Sequence, residues 1–278
     1  MEKYNKRSLC LSFLPLLIAF ILYYIAYYAA FFMTFISSGT ANAATDDIIL
    51  INEGFFNVIR FLAMLITFAS WYLMKFHKIN ATEDEEINSA KADEKKVLIL
   101  IPLLIVLSFS LQLFVSALLN LLTDIFPEAL KNYSENMESL LGSKVSWLTI
   151  FSTILLAPIA EELLFRGVTF SYAREGTKLK IAIFIQAMLF AIYHLNMIQG
   201  CYAFLIGILL GVLCYRFRSI LPGIFLHIFI NASAYIIPCS IYSTKKLCLL
   251  ISLSCLVVIL FMIYLILKKC AVWSAEAF

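Results

Sequence analysis

Apolar residues run through this chain in stretches of about twenty, separated by short polar segments. A helix needs about 20 mostly apolar residues to cross a bilayer. Eight stretches approach that length: 9–36, 55–76, 97–122, 145–172, 179–196, 198–215, 220–237 and 247–267. The fifth and sixth lie so close together that a tight hairpin or re-entrant pair is expected. The pattern therefore predicts an all-α fold, a polytopic membrane helical bundle of about eight transmembrane helices. Between the third and fourth stretches, segment 123–144 is polar overall. It places Phe126, Leu130, Tyr133, Met137 and Leu141 at helical spacing, which predicts an amphipathic helix on the outer membrane face.

Charge gives the bundle a direction, because Lys and Arg favour cytoplasmic loops. They cluster at the N-terminus (Lys3, Lys6, Arg7), after the second stretch (Lys75, Lys78, Lys91, Lys95, Lys96) and after the fourth (Arg174, Lys178, Lys180). They recur after the sixth (Arg216, Arg218) and at the C-terminus (Lys268, Lys269), whereas segment 37–53 has none. Both termini are thus predicted on the cytoplasmic side of a cell membrane, with Lys245 and Lys246 as the exception. The first stretch, followed by Ala41-Asn42-Ala43, imitates a signal peptide. Its apolar run is longer than the 7–15 residues of a signal core, so a retained helix is expected.

Composition makes lipid the solvent. The 278 residues are 63% hydrophobic and 14% charged, with mean hydropathy +0.93; soluble domains carry about 45–50% apolar and about 25% charged residues. The spans leave no separate soluble catalytic domain, so any chemistry sits among the helices. A net charge of +3 gives no reason to expect nucleic acid. The seven cysteines form no CxxC pair and read as small apolar residues.

Ionisable residues inside a membrane are expensive, and each is a functional candidate. Here they concentrate in three spans: Glu161, Glu162 and Arg166 in the fourth, His194 in the fifth, and His227 with Asn231 in the seventh. Arg60 is the main exception. Neighbours on a helix point about 100° apart, so Glu161 and Glu162 are not expected to face one site. Glu162 precedes Arg166 by four residues, the favourable order for an ion pair along a helix. Glu161 has only Leu164 and Phe165 at those spacings and must find a partner on another helix, for which His194 is the natural choice. Phe190 shares a helix face with His194. His227 and Asn231 share another and present two donors to one point, as an oxyanion requires. At about 1.5 Å per residue, all four of Glu161, His194, His227 and Asn231 lie roughly 10–22 Å from the cytoplasmic ends of their spans. Pro158 is expected to kink the fourth helix, and Gly207-x-x-x-Gly211 offers a close-packing face.

The set Glu161-Glu162-x-x-x-Arg166, Phe190-x-x-x-His194 and His227-x-x-x-Asn231 resembles the CPBP family. These are the CAAX-protease and bacteriocin-processing membrane peptidases, also called the Abi family. The likeness covers about 147–234. It implies a metal-independent glutamate peptidase with no cofactor, in which Glu161 and His194 activate water and His227 and Asn231 stabilise the oxyanion. Glu162 and Arg166 would hold the architecture. The implied partners are a peptide or membrane-protein substrate and the lipid bilayer. The chain is expected to divide into N-terminal helices over 1–144, a catalytic core over 145–237 and a C-terminal helix and tail over 238–278. Two rivals remain open: a non-catalytic immunity or signalling scaffold that binds a peptide or membrane signalling partner, and a zinc peptidase using Glu161, His194 and His227.

Overall fold

The computed structural model describes residues 4–38, 46–76, 94–141 and 145–270. The Ala41–Ala43 signal-like site and most of the polar loop 77–96 lie outside the described residues. Among the described residues every regular element is helical. Two helices open the chain, α1 (Lys6–Leu11) and α2 (Leu14–Ser38), followed by α3 (Asp46–Lys75), α4 (Glu94–Leu122) and α5 (Pro127–Leu141). The long helix α6 (Trp147–Gly176) leads into α7 (Leu179–Tyr193), α8 (Met197–Phe217), α9 (Leu221–Ile236) and α10 (Lys245–Leu265).

Eight apolar helical segments stand where the hydropathy pattern places them, but they are not equal. Six are long and apolar enough to cross a membrane, while α7 and α9 are shorter. Their 15 and 16 residues extend only about 22–24 Å, against a hydrocarbon core of about 30 Å. These short helices are the ones that carry His194, His227 and Asn231. Outward-facing apolar side chains such as Leu17, Ile25, Phe31, Met74, Leu98 and Val257 are exposed, as a lipid-facing surface requires. Lys245, which broke the charge pattern, is engaged locally by Asp124 at 3.3 Å and by the Asn120 carbonyl.

α6 is the central element. Of its most apolar window 61% is buried, against 17–33% for the other five long helices. α3 packs along its length, α1 packs on its last turns and α9 on its middle. At the α1 contact the backbone of Leu9 approaches Gly176 so closely that a Cβ there would fall 2.5 Å from the Leu9 nitrogen. Ser8 donates to Glu175 across the same junction at 2.7 Å. One apolar core joins α2, α3, α6 and α7 through Ala19, Phe68, Phe165 and Phe190. A second joins α4, α8, α9 and α10 through Leu104, Leu210, Leu226 and Ile259.

The kink expected at Pro158 takes the form of a widened turn. Pro158 has no N–H to offer the carbonyl four residues back. The helix answers with a π segment at Ser152–Leu156, in which the Ala157 N–H reaches the Ser152 carbonyl. A second π segment, Leu163–Thr169, follows the short α-helical stretch Ala157–Glu162. Glu161 and Glu162 thus sit between two π segments, a backbone form that recurs at functional sites.

Candidate active site

The Glu162–Arg166 pair forms as its spacing suggests. Arg166 Nη1 donates to Glu162 Oε1 at 2.8 Å, and both side chains are fully buried. Two further groups complete the pair's surroundings. The Arg166 guanidinium lies over the Phe190 ring at 4.5 Å, and its Nη2 donates to the Gly207 carbonyl at 3.3 Å. Gln186 donates to that same carbonyl at 2.8 Å.

Small residues make this packing possible. A Cβ on Gly211 would meet the Gln186 amide nitrogen at 2.5 Å, and one on Gly207 would press on Ala187 at 3.1 Å. On α9, a Cβ at Gly223 would lie 2.9 Å from Glu162 Oε2. The small-residue face of α8 therefore serves the buried arginine as well as helix approach.

His227 reaches both glutamates. Its Nδ1 lies 3.0 Å from Glu162 Oε1, so the ring donates there to the oxygen that also accepts from Arg166. Its Nε2 lies 3.7 Å from Glu161 Oε2. The expectation that neighbouring glutamates point apart holds for the cavity, since Glu161 lines it and Glu162 does not. An imidazole from α9 nevertheless spans the gap between the two carboxylates. Nothing in the local spacing of α6 signals that bridge.

His194 caps α7, with its backbone turning before Leu195 adopts a left-handed φ of 51°. That conformation is unfavourable for a leucine, and such strain clusters at functional sites. The His194 Nδ1 donates to the Phe190 carbonyl at 2.8 Å, leaving Nε2 with its lone pair. The Phe190 ring meets the two imidazoles edge-on, at 4.7 Å from His194 and 5.7 Å from His227. Asn231 donates to the Thr153 carbonyl in the first π segment at 2.8 Å. A primary amide has two N–H groups, so one remains.

Glu161, His194, His227 and Asn231 all line one cavity of about 440 Å³. Its walls also carry residues that sequence reasoning passed over. Tyr23 comes from α2, Asn57 and Arg60 from α3, Gln112 from α4 and Tyr193 from α7. Only Arg60 left a sequence signal, as a charge inside a span. The amphipathic helix α5 also contributes, with Tyr133 and Met137 on the cavity. Tyr133 is hydrogen-bonded to Tyr202 of α8 at 3.2 Å, so part of the polar helix faces the cavity rather than lipid. Among the described residues no three His, Cys, Asp or Glu side chains form a group able to hold a metal ion.

Residues 143–233 match the family described as type II CAAX prenyl endopeptidase Rce1-like. The matched segment runs from α6 to α9, about a third of the chain, and is similar to the CAAX-protease family that the three motifs resemble. Proteolysis of a peptide or membrane-protein substrate within the bilayer is the activity class of that family, and the six long apolar helices make the chain a multi-pass membrane protein. No curated protein and no solved structure matches the chain.

Proposed function

We propose that the protein is a metal-independent intramembrane glutamate endopeptidase. Water between Glu161 and His194 gives a proton to the Glu161 carboxylate and attacks a peptide carbonyl. With a hydrogen on both ring nitrogens of His227, its Nε2–H joins the second N–H of Asn231 in taking up the charge developing on the carbonyl oxygen. The protonated acid then returns its proton to the departing amine. Glu162 and Arg166 hold His227 in register from behind. Both termini are assigned to the cytoplasmic side of a cell membrane, following the Lys and Arg pattern.

One observation carries the reading: carboxylate, two imidazoles and an amide from three separate helices line a single cavity. The deciding experiment compares wild type with Glu161→Gln, reconstituted in lipid, on a peptide carrying a prenylated cysteine near its C-terminus and on the membrane peptides of the host cell. Wild type is expected to cleave at least one of these and Glu161→Gln none, with both variants inserted equally. Cleavage by Glu161→Gln at the wild-type rate would exclude the mechanism. A scaffold would instead keep its cellular phenotype in Glu161→Ala and His194→Ala.

A further inference from the structure

Arg60 is the intramembrane charge that the proposed mechanism leaves unused. It sits near the middle of α3, roughly 22 Å from Lys75 at about 1.5 Å per residue. Its guanidinium carbon lies 4.1 Å from the centre of the Phe61 ring, 5.4 Å from Tyr23 and 5.5 Å from Phe56. The rings hold the side chain by cation–π attraction but accept no directed pair of N–H bonds. Its Nε is buried without a hydrogen-bond partner. Among the described residues no carboxylate lies within ion-pair distance of it. Arg166, the other arginine of this region, has Glu162 as its counter-ion.

Arg60 lines the same cavity as Glu161 and His194, together with Asn57 one turn earlier on α3 and Tyr23 on α2. A guanidinium offers a planar fork of donors that matches a carboxylate. The amide of Asn57 and the phenol of Tyr23 add neutral donors on the same wall. A volume of about 440 Å³ falls in the range that holds one small ligand, about 300–1,000 Å³. It suits the last few residues of a chain better than a long internal segment.

We propose that Arg60, with Asn57 and Tyr23 beside it, is a carboxylate-binding subsite that anchors the C-terminal end of the substrate while Glu161 and His194 act on a bond upstream. The inference rests on the peptidase reading and adds a rule of selection to it.

The test uses the full chain carrying Glu161→Gln in lipid nanodiscs, so that binding is read without turnover. Three fluorescent probes share one short apolar sequence: the free acid, its C-terminal amide, and an amide with glutamate as its last residue. The acid is expected to bind roughly 10- to 100-fold more tightly than the plain amide, the range of a charge-assisted pair. That preference should vanish when Arg60→Gln is added. Tight binding of the glutamate amide would assign the recognised carboxylate to a side chain instead of the terminus, and would overturn the terminal anchor. Equal affinity for acid and plain amide, absence of saturable acid binding, or a preference surviving Arg60→Gln would overturn the subsite altogether. The acid–amide comparison needs no Arg60 variant, so a misfolded Arg60→Gln protein does not shield the subsite from refutation. A preference that depends on Arg60 in a protein whose wild type cleaves neither the prenylated peptide nor the membrane peptides of the host cell would sink the peptidase reading and leave the subsite standing.

Discussion

The Nδ1 of His227 and the Arg166 guanidinium converge on one oxygen, Glu162 Oε1, at 3.0 and 2.8 Å. The oxygen fixes which ring nitrogen of His227 faces the cavity, because the nitrogen bound to the carboxylate must carry the hydrogen. Glu162 thus orients a cavity residue from outside the cavity, much as a second carboxylate orients a catalytic imidazole.

Arg166→Ala should therefore damage more than packing. Removing one member of a buried pair leaves an uncompensated charge and costs about 3–5 kcal/mol. Thermal unfolding in detergent should show a large fall in midpoint for Arg166→Ala and for Glu162→Ala. A midpoint equal to wild type would mean that the pair is not held in the membrane interior.

Glu161 differs from its neighbour, since its carboxylate faces a cavity. Glu161→Gln and His194→Ala are expected to lower cleavage by roughly 10²–10⁴-fold, the contribution typical of positioned proton transfer. Their unfolding midpoints should stay close to wild type. A parallel collapse of stability and rate in both variants would reassign the two residues to architecture.

Asn231→Ala removes a donor that the proposed mechanism aims at the developing oxyanion, and it frees the Thr153 carbonyl. A loss of about 10²–10³-fold in kcat is expected from comparable donors, with KM for the peptide little changed. A change confined to KM would place Asn231 in substrate binding.

Gly223 and Gly211 give a steric check. Gly211→Val and Gly223→Val should each displace a buried polar group, Gln186 or Glu162, and reduce both activity and folded yield. Alanine at Gly223 tests the same contact more gently, because its single methyl meets Glu162 Oε2 at 2.9 Å. Wild-type stability and activity in all three would show that α8 and α9 stand farther from α6 and α7.

The roof of the cavity should respond to pH only in alkali. Burial pushes the Tyr133 phenol above its ordinary value, and the hydrogen bond with Tyr202 opposes that shift more weakly. A raised value in the folded state means that the phenol's contribution is complete below about pH 10 and fades as pH rises through the folded value. Hydrogen exchange over 127–141 should be constant across neutral pH and quicken above about pH 10. Tyr133→Phe should quicken it at neutral pH as well.

Much of this arrangement was legible in one dimension. Apolar run lengths locate the eight segments, and the four-residue step from Glu162 to Arg166 foretells their pair because both lie on one helix. Phe190 and His194 meet for the same reason. What escaped depends on contacts between helices or on backbone register. The bridge from His227 to Glu162 spans 65 residues and exists only through the packing of α9 on α6. Pro158 hinted at a bend, yet the second π segment has no proline to announce it. Arg60 was visible as a misplaced charge, but its place on the cavity wall depends on α3 lying along α6.

α7 ends at Tyr193 after 15 residues, and Ile181, Phe184, Met188 and Ile192 form its outward apolar stripe. Lipid tails beside that stripe find roughly 8 Å less hydrophobic protein than a bilayer core supplies. Mismatch of this kind is relieved by local thinning of the bilayer. For the proposed peptidase, acyl-chain length then sets how far a substrate peptide travels from the headgroups to the Glu161 cavity, and short-chain phospholipids shorten that journey.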